Sequence, residues 1–444
     1  MLIGMAHAPF ERWLSTLGYA ERDASLFRDL QGVPPAHPYA AELRNLLDPD
    51  GWIRAKAVFE VDGTPTVVFV ESMPGDALDA IRQRIWNQNL VTIVLEIEGD
   101  QLRALSPQRT SVPVALDRRQ ATAEGPWSAA DIQSGDVAER VPAWFQGDRR
   151  VERELLDNLG EAVRQLRTHG LSREAAQYLM GQLLFVSYLE HRGIVSDVYR
   201  GKRRVKALKV LIEARDHAGL GKLFDCLKGD FNGDFLNPEY AMEANWASLS
   251  SESFQVLDCF LSRVNLQTGQ TSLWNYDFRF IPVELISGIY ETFLGDEKDE
   301  LGAFYTPRHL AQLVVDIAFD GVARPWEESV YDGACGSGIL LTTAFRRMLG
   351  HARAASGQPI LLAERIALLR TRIFGSDLSE TACRVTAFSL YLSLLEDLVP
   401  QDLIELTSDP KVKLPKLLGH TLRGGAKAGD FFSSANDFAG QQRY

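Results

Sequence analysis

The chain has 444 residues, of which 45% are hydrophobic and 24% are charged, and its formal net charge at pH 7 is −12. These proportions are those of an ordinary globular protein, and the length predicts two or three domains rather than one core. We expect neither a membrane span nor a secretory signal, and therefore cytoplasmic residence. The acidic balance excludes a protein coated in basic surface. The basic runs 200–206 and 411–427 are candidates for a local nucleic-acid groove, with solvated faces as the alternative.

The cysteines are few and scattered, and their positions are Cys226, Cys259, Cys335 and Cys383. This spacing predicts neither a structural zinc site nor a disulfide framework, and we expect the chain to hold no metal ion. Cys335 has no base beside it in the sequence, so a nucleophilic role is not predicted.

Residues 1–125 are predicted to form an α/β module. Residues 57–71 predict a β-hairpin, because two β-rich runs flank Asp62-Gly63, a strong turn signal. A helix over 77–89 and a strand over 90–96 are predicted to follow.

The order of these elements resembles the PD-(D/E)xK nucleases, with Asp62 and Glu71 as candidate metal ligands. No lysine follows Glu71 at the E-x-K position, because residue 73 is Met73. We therefore expect a nuclease-like module without activity, or an unrelated module used for docking. Metal-dependent nuclease activity of residues 1–125, lost in Asp62→Ala, is a third interpretation.

Residues 126–280 are predicted to be a linker followed by a helical domain. Prolines and small polar residues between 106 and 148 are typical of a linker. From Val151 onward apolar residues recur at helical spacing, and Ser172 is predicted to begin a second helix.

A strand, a glycine turn and a helix are predicted in succession in the second half of the chain. The strand is predicted over 329–331, the turn contains Gly333, Gly336 and Gly338, and the helix begins at Ile339. Glycine lets a backbone approach a ligand closely, and a helix start offers N–H groups to polar ligand atoms. A turn of this kind also serves packing alone, without a ligand.

Residues 332–338, Asp-Gly-Ala-Cys-Gly-Ser-Gly, resemble the first S-adenosylmethionine (SAM) motif of the N6-adenine DNA methyltransferases. Gly333 departs from this family, which usually has proline there. Residues 302–307 resemble the family's N-terminal cofactor segment, which folds over the methionine end of SAM. Two such strings in the family's order and spacing are more specific than either alone.

Two further segments carry the same resemblance. Residues 183–193 resemble the core helix of the N-terminal helical domain in type I restriction-system modification subunits. Residues 281–294 predict an amphipathic helix, and this helix resembles the family's entry into the methyltransferase domain.

A second predicted strand, over 372–377, ends in a carboxylate. Such a carboxylate can accept both hydroxyls of a ribose, whereas an ordinary helix N-cap is the alternative for Asp377 taken alone. Leu378 is predicted to pack on the adenine ring. Residues 429–431, Gly-Asp-Phe, resemble the third motif, in which Asp430 accepts the adenine amine; a plain turn residue is the alternative for Asp430.

The resemblance implies an α/β fold in which part of a Rossmann-like methyltransferase domain, over 281–444, follows the helical domain and the N-terminal module. It implies SAM as the cofactor, with Asp332 facing the methionine ammonium. The implied cofactor-binding residues are Phe304, Tyr305, Thr306, Pro307, Asp332, Ala334, Cys335, Gly336, Gly338, Asp377, Leu378, Asp430 and Phe431.

The implied activity is adenine-specific methylation of double-stranded DNA within a restriction-modification or phage-defence system, with other subunits of such a complex as partners. The family aims the adenine amine with an (Asn/Asp)-Pro-Pro-aromatic loop, and the sequence contains no such string. We therefore predict no catalytic residue here, and expect a chain cut before its catalytic loop and target-recognition domain. The alternative is a non-catalytic SAM- or DNA-binding subunit of a defence complex.

Overall fold

A computed structural model describes most of the chain: residues 3–108, 112–145, 151–231, 246, 249–270, 276–283, 306–396, 402, 413–436 and 438. Helices and sheets are both present, so the protein is of the mixed α/β class. The chain divides into two compact units. Unit 1 contains Met1–Glu154 and Phe280–Pro282, and unit 2 contains Leu155–Arg279 and Val283–Tyr444.

Unit 1 is built on a six-stranded sheet whose strands lie in sequence order. The strands are β1 Leu26–Phe27, β2 Ala57–Val61, β3 Thr64–Glu71, β4 Ile93–Glu98, β5 Gln101–Leu105 and β6 Val114–Asp117. The helices are α1 Ile3–Thr16, α2 Ala40–Leu47, α3 Gly75–Gln88, α4 Ala129–Ser134 and α5 Asp136–Arg140. β3 and β4 run parallel because α3 carries the chain between them, whereas the other neighbouring pairs are antiparallel.

The predicted hairpin and the two elements after it are confirmed. Asp62 and Gly63 both have positive φ, 48° and 73°, as the tightest hairpin turns require. The helix α3 and the strand β4 each begin within three residues of their predicted starts.

Both faces of the sheet in unit 1 are covered, because alternate residues of each strand point to opposite sides. Phe59 and Phe69 belong to a core that also contains residues of α1 and α4. Val58 and Val68 belong to a second core, with residues of α2 and α3 and with Phe280.

The segment 126–145, expected to be a linker, is instead packed into unit 1. Trp127 and Trp144 stack with ring centroids 5.3 Å apart, and both side chains are buried. The Oη of Tyr19 donates to the carbonyl of Trp127 at 2.8 Å. The small polar residues between these tryptophans suggest a linker, but the two indoles bury enough apolar surface to hold the segment in the core.

Unit 2 begins with a set of packed helices. They are α6 Val151–Thr168, α7 Arg173–His191, α8 Asp197–Arg203, α9 Leu208–Glu213, α10 His217–Phe231 and α11 Ser251–Leu261. The Oγ of Ser172 accepts the N–H of Ala175 at 3.1 Å, so Ser172 caps α7 as predicted. Most of α7 is buried, which explains why its apolar residues do not keep to one face.

A three-stranded parallel sheet follows in unit 2, in the order β7, β8, β9. The strands are β7 Val330–Asp332, β8 Ile373–Asp377 and β9 Leu422–Gly424. The helices are α12 Arg308–Phe319, α13 Ile339–Ser356, α14 Leu362–Arg372 and α15 Glu380–Leu395. Since parallel strands end at the same edge, the residues after all three are brought together there.

From Leu155 onward, the helices α6–α11 and the parallel sheet lie in one compact unit, although the sequence assigns them to separate domains. The Oη of Tyr188 in α7 donates to the carbonyl of Leu392 in α15 at 3.2 Å, and the rings of Phe185 and Phe388 are 5.7 Å apart. Buried contacts of this kind bind the two regions into a single core. Throughout the described ranges, every helix is either too short or too polar to serve as a membrane span.

Candidate functional site

Three predicted motifs meet at the carboxyl edge of the parallel sheet. β7 ends at Asp332 and β8 ends at Asp377. Gly429, beyond β9, lies so close to β8 that a Cβ atom there would fall 1.9 Å from the carbonyl oxygen of Asp377. In open α/β sheets this edge is where ligands bind.

Asp332 is a partly buried carboxylate at the start of the glycine turn. Its Oδ1 accepts the N–H of Ala334 at 3.0 Å. Burial raises the pKa of Asp332, and the negative charge of Asp377 raises it further, against the hydrogen bond from Ala334. A cationic ligand group beside this carboxylate would relieve the cost of its charge.

The glycines of the turn are required by its geometry. Gly336 and Gly338 have φ values of 53° and 81°, which side chains rarely allow. A Cβ at Gly338 would also lie 2.8 Å from Cγ2 of Thr386 in α15, and the Oγ1 of Thr386 donates to the carbonyl of Gly336 at 2.8 Å. The turn is therefore shaped in part by its packing against α15.

Several N–H groups of the turn donate to the protein itself. Those of Cys335 and Gly336 donate to the carbonyl of Ser376 and to Oδ2 of Asp377, both at 3.0 Å. That of Gly338 donates to the carbonyl of Cys335 at 2.7 Å. These three N–H groups fasten the turn, as in the alternative in which the turn serves packing.

Asp377 fastens the glycine turn to the loop before α15, whereas the N-cap of that helix is Ser379, whose Oγ accepts the N–H of Ala382 at 3.3 Å. The Oδ2 of Asp377 accepts the N–H of Gly336 in the turn, and its Oδ1 accepts the N–H of Ser379 at the start of α15, at 2.8 Å. Each carboxylate oxygen has a second lone pair, and the side chain is only partly buried, so further donors can still be accepted.

Phe431 lies across Gly333. Its ring stacks on that of Tyr331, with centroids 6.0 Å apart, and a Cβ at Gly333 would meet the ring at 2.7 Å. Gly333, the one departure from the first motif, thus leaves room for Phe431. Asp430 acts as a turn residue, since its Oδ1 accepts the N–H of Phe432 at 2.9 Å.

Asn436 was not predicted, yet it holds the third motif in place. Its Nδ2 lies 3.1 Å from the Oη of Tyr331, 3.2 Å from the Oγ of Ser376 and 3.2 Å from the carbonyl oxygen of Asp430. Asn436 is only 3% exposed. The sequence offers one signal for such a contact. Tyr331 and Ser376 place hydroxyl groups inside short strands whose neighbouring residues are mostly apolar, and these hydroxyl groups need a polar partner.

The other predicted site residues differ in their exposure. Leu378 is 58% exposed beside Asp377, and Ala334 is exposed, whereas Cys335 is buried. A hydrogen bond with Cys383, together with burial, raises the pKa of the Cys335 thiol, which favours the unreactive protonated form.

The N-terminal cofactor segment is described only in part. Thr306 and Pro307 lie directly before α12, where the carbonyl of Pro307 accepts the N–H groups of Leu310 and Ala311. Phe304 and Tyr305 lie outside the described residues, as do positions 284–294 of the predicted amphipathic helix.

Two arginines of the candidate basic groove at 200–206 form ion pairs with carboxylates of the same unit. Arg200 pairs with Asp197 at 2.7 Å, and Arg203 pairs with Asp230. Of the second basic run, the part from Lys413 onward is described.

The candidate nuclease ligands do not come together. Asp62 is in the turn before β3, and Glu71 is the last residue of that strand, so the strand's eight residues separate them by roughly 25 Å. Glu71 instead pairs with Lys56, whose Nζ lies 3.2 Å from Oε2. These two carboxylates therefore cannot share one metal ion.

Comparison with known protein families finds a match, which lies within unit 2. Residues 283–399 match the model of the N-6 DNA methylase family. Among solved structures, the chain is similar to a chain of the cryoEM structure of a DrdV–DNA complex, with 12% sequence identity and a TM-score of 0.30. The similarity covers 93% of this chain and 39% of that chain, so this chain spans well under half of its length. No curated protein matches.

Proposed function

We propose that this protein acts in SAM-dependent methylation of adenine N6 in double-stranded DNA, as part of a restriction-modification or phage-defence system. The proposal rests chiefly on the meeting of Asp332, Asp377 and Gly429 at one edge of a parallel sheet, within and beside the methylase segment. It includes a Rossmann-like arrangement of the methyltransferase domain.

The residues at this edge fit the chemistry of SAM. Asp332 is a partly buried carboxylate, and its raised pKa means that its negative charge is disfavoured. The methionine ammonium would stabilise this charge. Asp377 has lone pairs for two ribose hydroxyls, and the exposed side chain of Leu378 would cover the adenine ring. Asp430 is proposed to accept the adenine amine. When bound, SAM supplies an electrophilic methyl group on a sulfonium.

Thr306, Pro307, Phe304 and Tyr305 are proposed to close over the methionine end of the cofactor, and Phe431 to line the adenine side. The sequence holds no (Asn/Asp)-Pro-Pro-aromatic string, so no catalytic residue is assigned in these 444 residues. DNA and other subunits of a defence complex are the proposed partners.

Calorimetric titration of the purified chain with SAM tests the proposal. Asp377→Asn keeps one acceptor oxygen but loses the charge, so SAM affinity should fall by roughly tenfold or more, as expected for a hydrogen bond to a charged group. The matched control is Asp225→Ala, an exposed carboxylate of α10, which should bind SAM like the native chain. Absence of binding to the native chain, or equal binding by both variants, contradicts the proposal.

A second candidate is a non-catalytic SAM- or DNA-binding subunit, which the missing catalytic string favours. The two functions differ in one measurement, the transfer of tritiated methyl groups from SAM to adenine-containing duplex DNA by this chain alone. Incorporation supports the enzyme, whereas SAM binding without incorporation supports the subunit.

A further inference from the structure

Unit 1 contains a cleft of about 1170 Å³, formed by α1, α3, the end of β3 and the loops after β1 and α2. Pockets for single small molecules usually measure roughly 300–1,000 Å³, so this cleft accommodates a longer ligand. Its floor is apolar, since Leu47, Ile53 and Ile81 line it and are almost fully buried.

Trp52 stands at the rim of the cleft with 57% of its surface exposed. The loop that carries it is fixed, because the N–H of Gly51 donates to the carbonyl of Asp48 at 3.0 Å and that of Ala55 donates to the carbonyl of Leu46 at 2.8 Å. The next residue, Ile53, is 1% exposed. An ordered loop therefore buries one side chain and holds a large aromatic side chain out beside the cleft.

Arg84 of α3 holds this tryptophan from one side. Its guanidinium lies 5.2 Å from the centroid of the Trp52 ring, and its Nη1 donates to the Trp52 carbonyl at 2.8 Å. The indole is thus positioned before any ligand arrives, which lowers the entropy cost of stacking on it.

The rim of the cleft carries a small excess of positive charge, whereas the whole chain is acidic. Four cations line it, Arg28, Arg54, Lys56 and Arg84, against the three carboxylates Glu11, Asp29 and Glu71, which gives 4 − 3 = +1. The whole chain carries −12. The pairs Arg28–Glu11 and Lys56–Glu71 are substantially exposed, and exposed pairs are weak enough for a phosphate to displace the carboxylate.

We propose that this cleft binds single-stranded nucleic acid. Trp52 stacks on an unpaired base, and Arg54 and Arg84 contact the phosphates on either side of it. The assignment depends on both the indole and the cations of the lining. An apolar metabolite would not pair with the cations, and a small anion would not stack on the indole. Bases in a duplex have their faces covered by neighbours, so a duplex cannot use Trp52 in this way.

This inference is independent of the proposed methylation. The cleft lies wholly within unit 1, whereas the SAM residues belong to unit 2. Substitutions in the cleft are therefore expected to leave SAM binding unchanged.

The test measures fluorescence anisotropy of labelled oligothymidylate and oligouridylate, each of about ten nucleotides, with the full chain. Trp52→Ala should weaken binding of the tighter ligand by roughly tenfold or more, while Trp52→Phe, which keeps a ring, should retain most of the affinity. Arg54→Ala should weaken binding and make its dependence on salt concentration shallower. Arg119→Ala, an exposed cation of unit 1 outside the cleft, is the matched control and should bind like the native chain.

Three results would overturn the proposal. The first is equal binding by Trp52→Ala and Arg119→Ala when thermal unfolding shows both variants folded. The second is displacement of the oligonucleotide by an equal concentration of duplex. The third is displacement by thymidine monophosphate as effective as that by the unlabelled oligonucleotide, because a single nucleotide would then be the ligand.

Discussion

The surroundings of Asp332 disfavour its negative charge. The ammonium group of the proposed ligand would stabilise that charge. Because burial and Asp377 raise the pKa of Asp332, protonation removes its charge at a higher pH than for an ordinary carboxyl group. We predict that SAM affinity falls as pH is lowered through this raised pKa. Calorimetric titrations between about pH 4 and pH 8 would measure the decline.

The control for this prediction is Asp332→Asn, which has no proton to gain. Its SAM affinity should be lower at neutral pH and should lack the part of the pH dependence that Asp332 causes. Since the folded protein holds the charged form of Asp332 at a cost, the same variant should unfold at a slightly higher temperature without ligand at neutral pH. Identical pH profiles for the native chain and the variant would contradict the assignment.

Gly429 allows the third motif to approach β8. A Cβ there would collide with the carbonyl oxygen of Asp377, a backbone atom that cannot rotate away. We predict that Gly429→Ala displaces Asp430 and lowers SAM affinity by roughly tenfold or more. Gly160→Ala is the matched control, because a Cβ there meets nothing within 4 Å and a helix favours alanine by about 0.5–1 kcal/mol.

The sequence predicts the two aspartates that end β7 and β8 at the site. It does not predict the residue that supports the surrounding loops, Asn436. Asp332 and Asp377 are visible because each ends a short apolar run with a recognisable pattern on either side. Asn436 supports the site through three contacts to positions 430, 376 and 331, and its neighbours in the sequence give no sign of them. Contacts over such separations depend on the folded sheet.

At the scale of elements, two side-chain amides of α6 contact the turn after α11: Asn158, which is buried, and Gln165, whose Nε2 donates to the carbonyl of Leu266 at 3.1 Å. Asn158 is 8% exposed, and its Oδ1 accepts the N–H of Leu266 at 3.1 Å. We predict that Asn158→Ala lowers the free energy of unfolding by about 1–3 kcal/mol, because a partly buried N–H loses its acceptor. Urea denaturation would measure it, with Arg167→Ala on the exposed face of α6 as the control, expected within about 0.5 kcal/mol of the native chain.

Elements with strong local signals were predicted close to their observed bounds. The hairpin turn at Asp62-Gly63, the cap at Ser172 and the strand ending at Asp377 each depend on residues within one short segment. The segment containing Trp127 and Trp144 was misassigned because its local composition is that of a loop. Its place in the structure is set by the distant α1 and β2, which those indoles contact through a shared core.

On the scale of the whole molecule, three residues return to unit 1 from the middle of unit 2. Phe280 is 4% exposed and packs in the second core of unit 1. Phe278, two residues earlier, is 3% exposed and belongs to unit 2. The division between the two units therefore falls between neighbouring buried aromatic residues, which periodicity along the chain does not reveal.

We predict that Phe280→Ala and Phe278→Ala destabilise different parts of the protein. Each should cost about 3–5 kcal/mol, the usual loss for a buried phenylalanine. Hydrogen exchange followed by mass spectrometry should show faster exchange in β2–β4 for Phe280→Ala and in α7 for Phe278→Ala. The same exchange pattern in both variants would contradict the division into these units.

The return of Phe280–Pro282 also has a consequence during synthesis on the ribosome. Residues 1–154 emerge first, yet the second core of unit 1 lacks Phe280 until the helices of 155–279 have also been made. The second core of unit 1 therefore stays incomplete until Phe280 has been synthesised and has left the ribosome. Slowed translation between codons 154 and 282 would prolong that interval and expose the growing chain to aggregation.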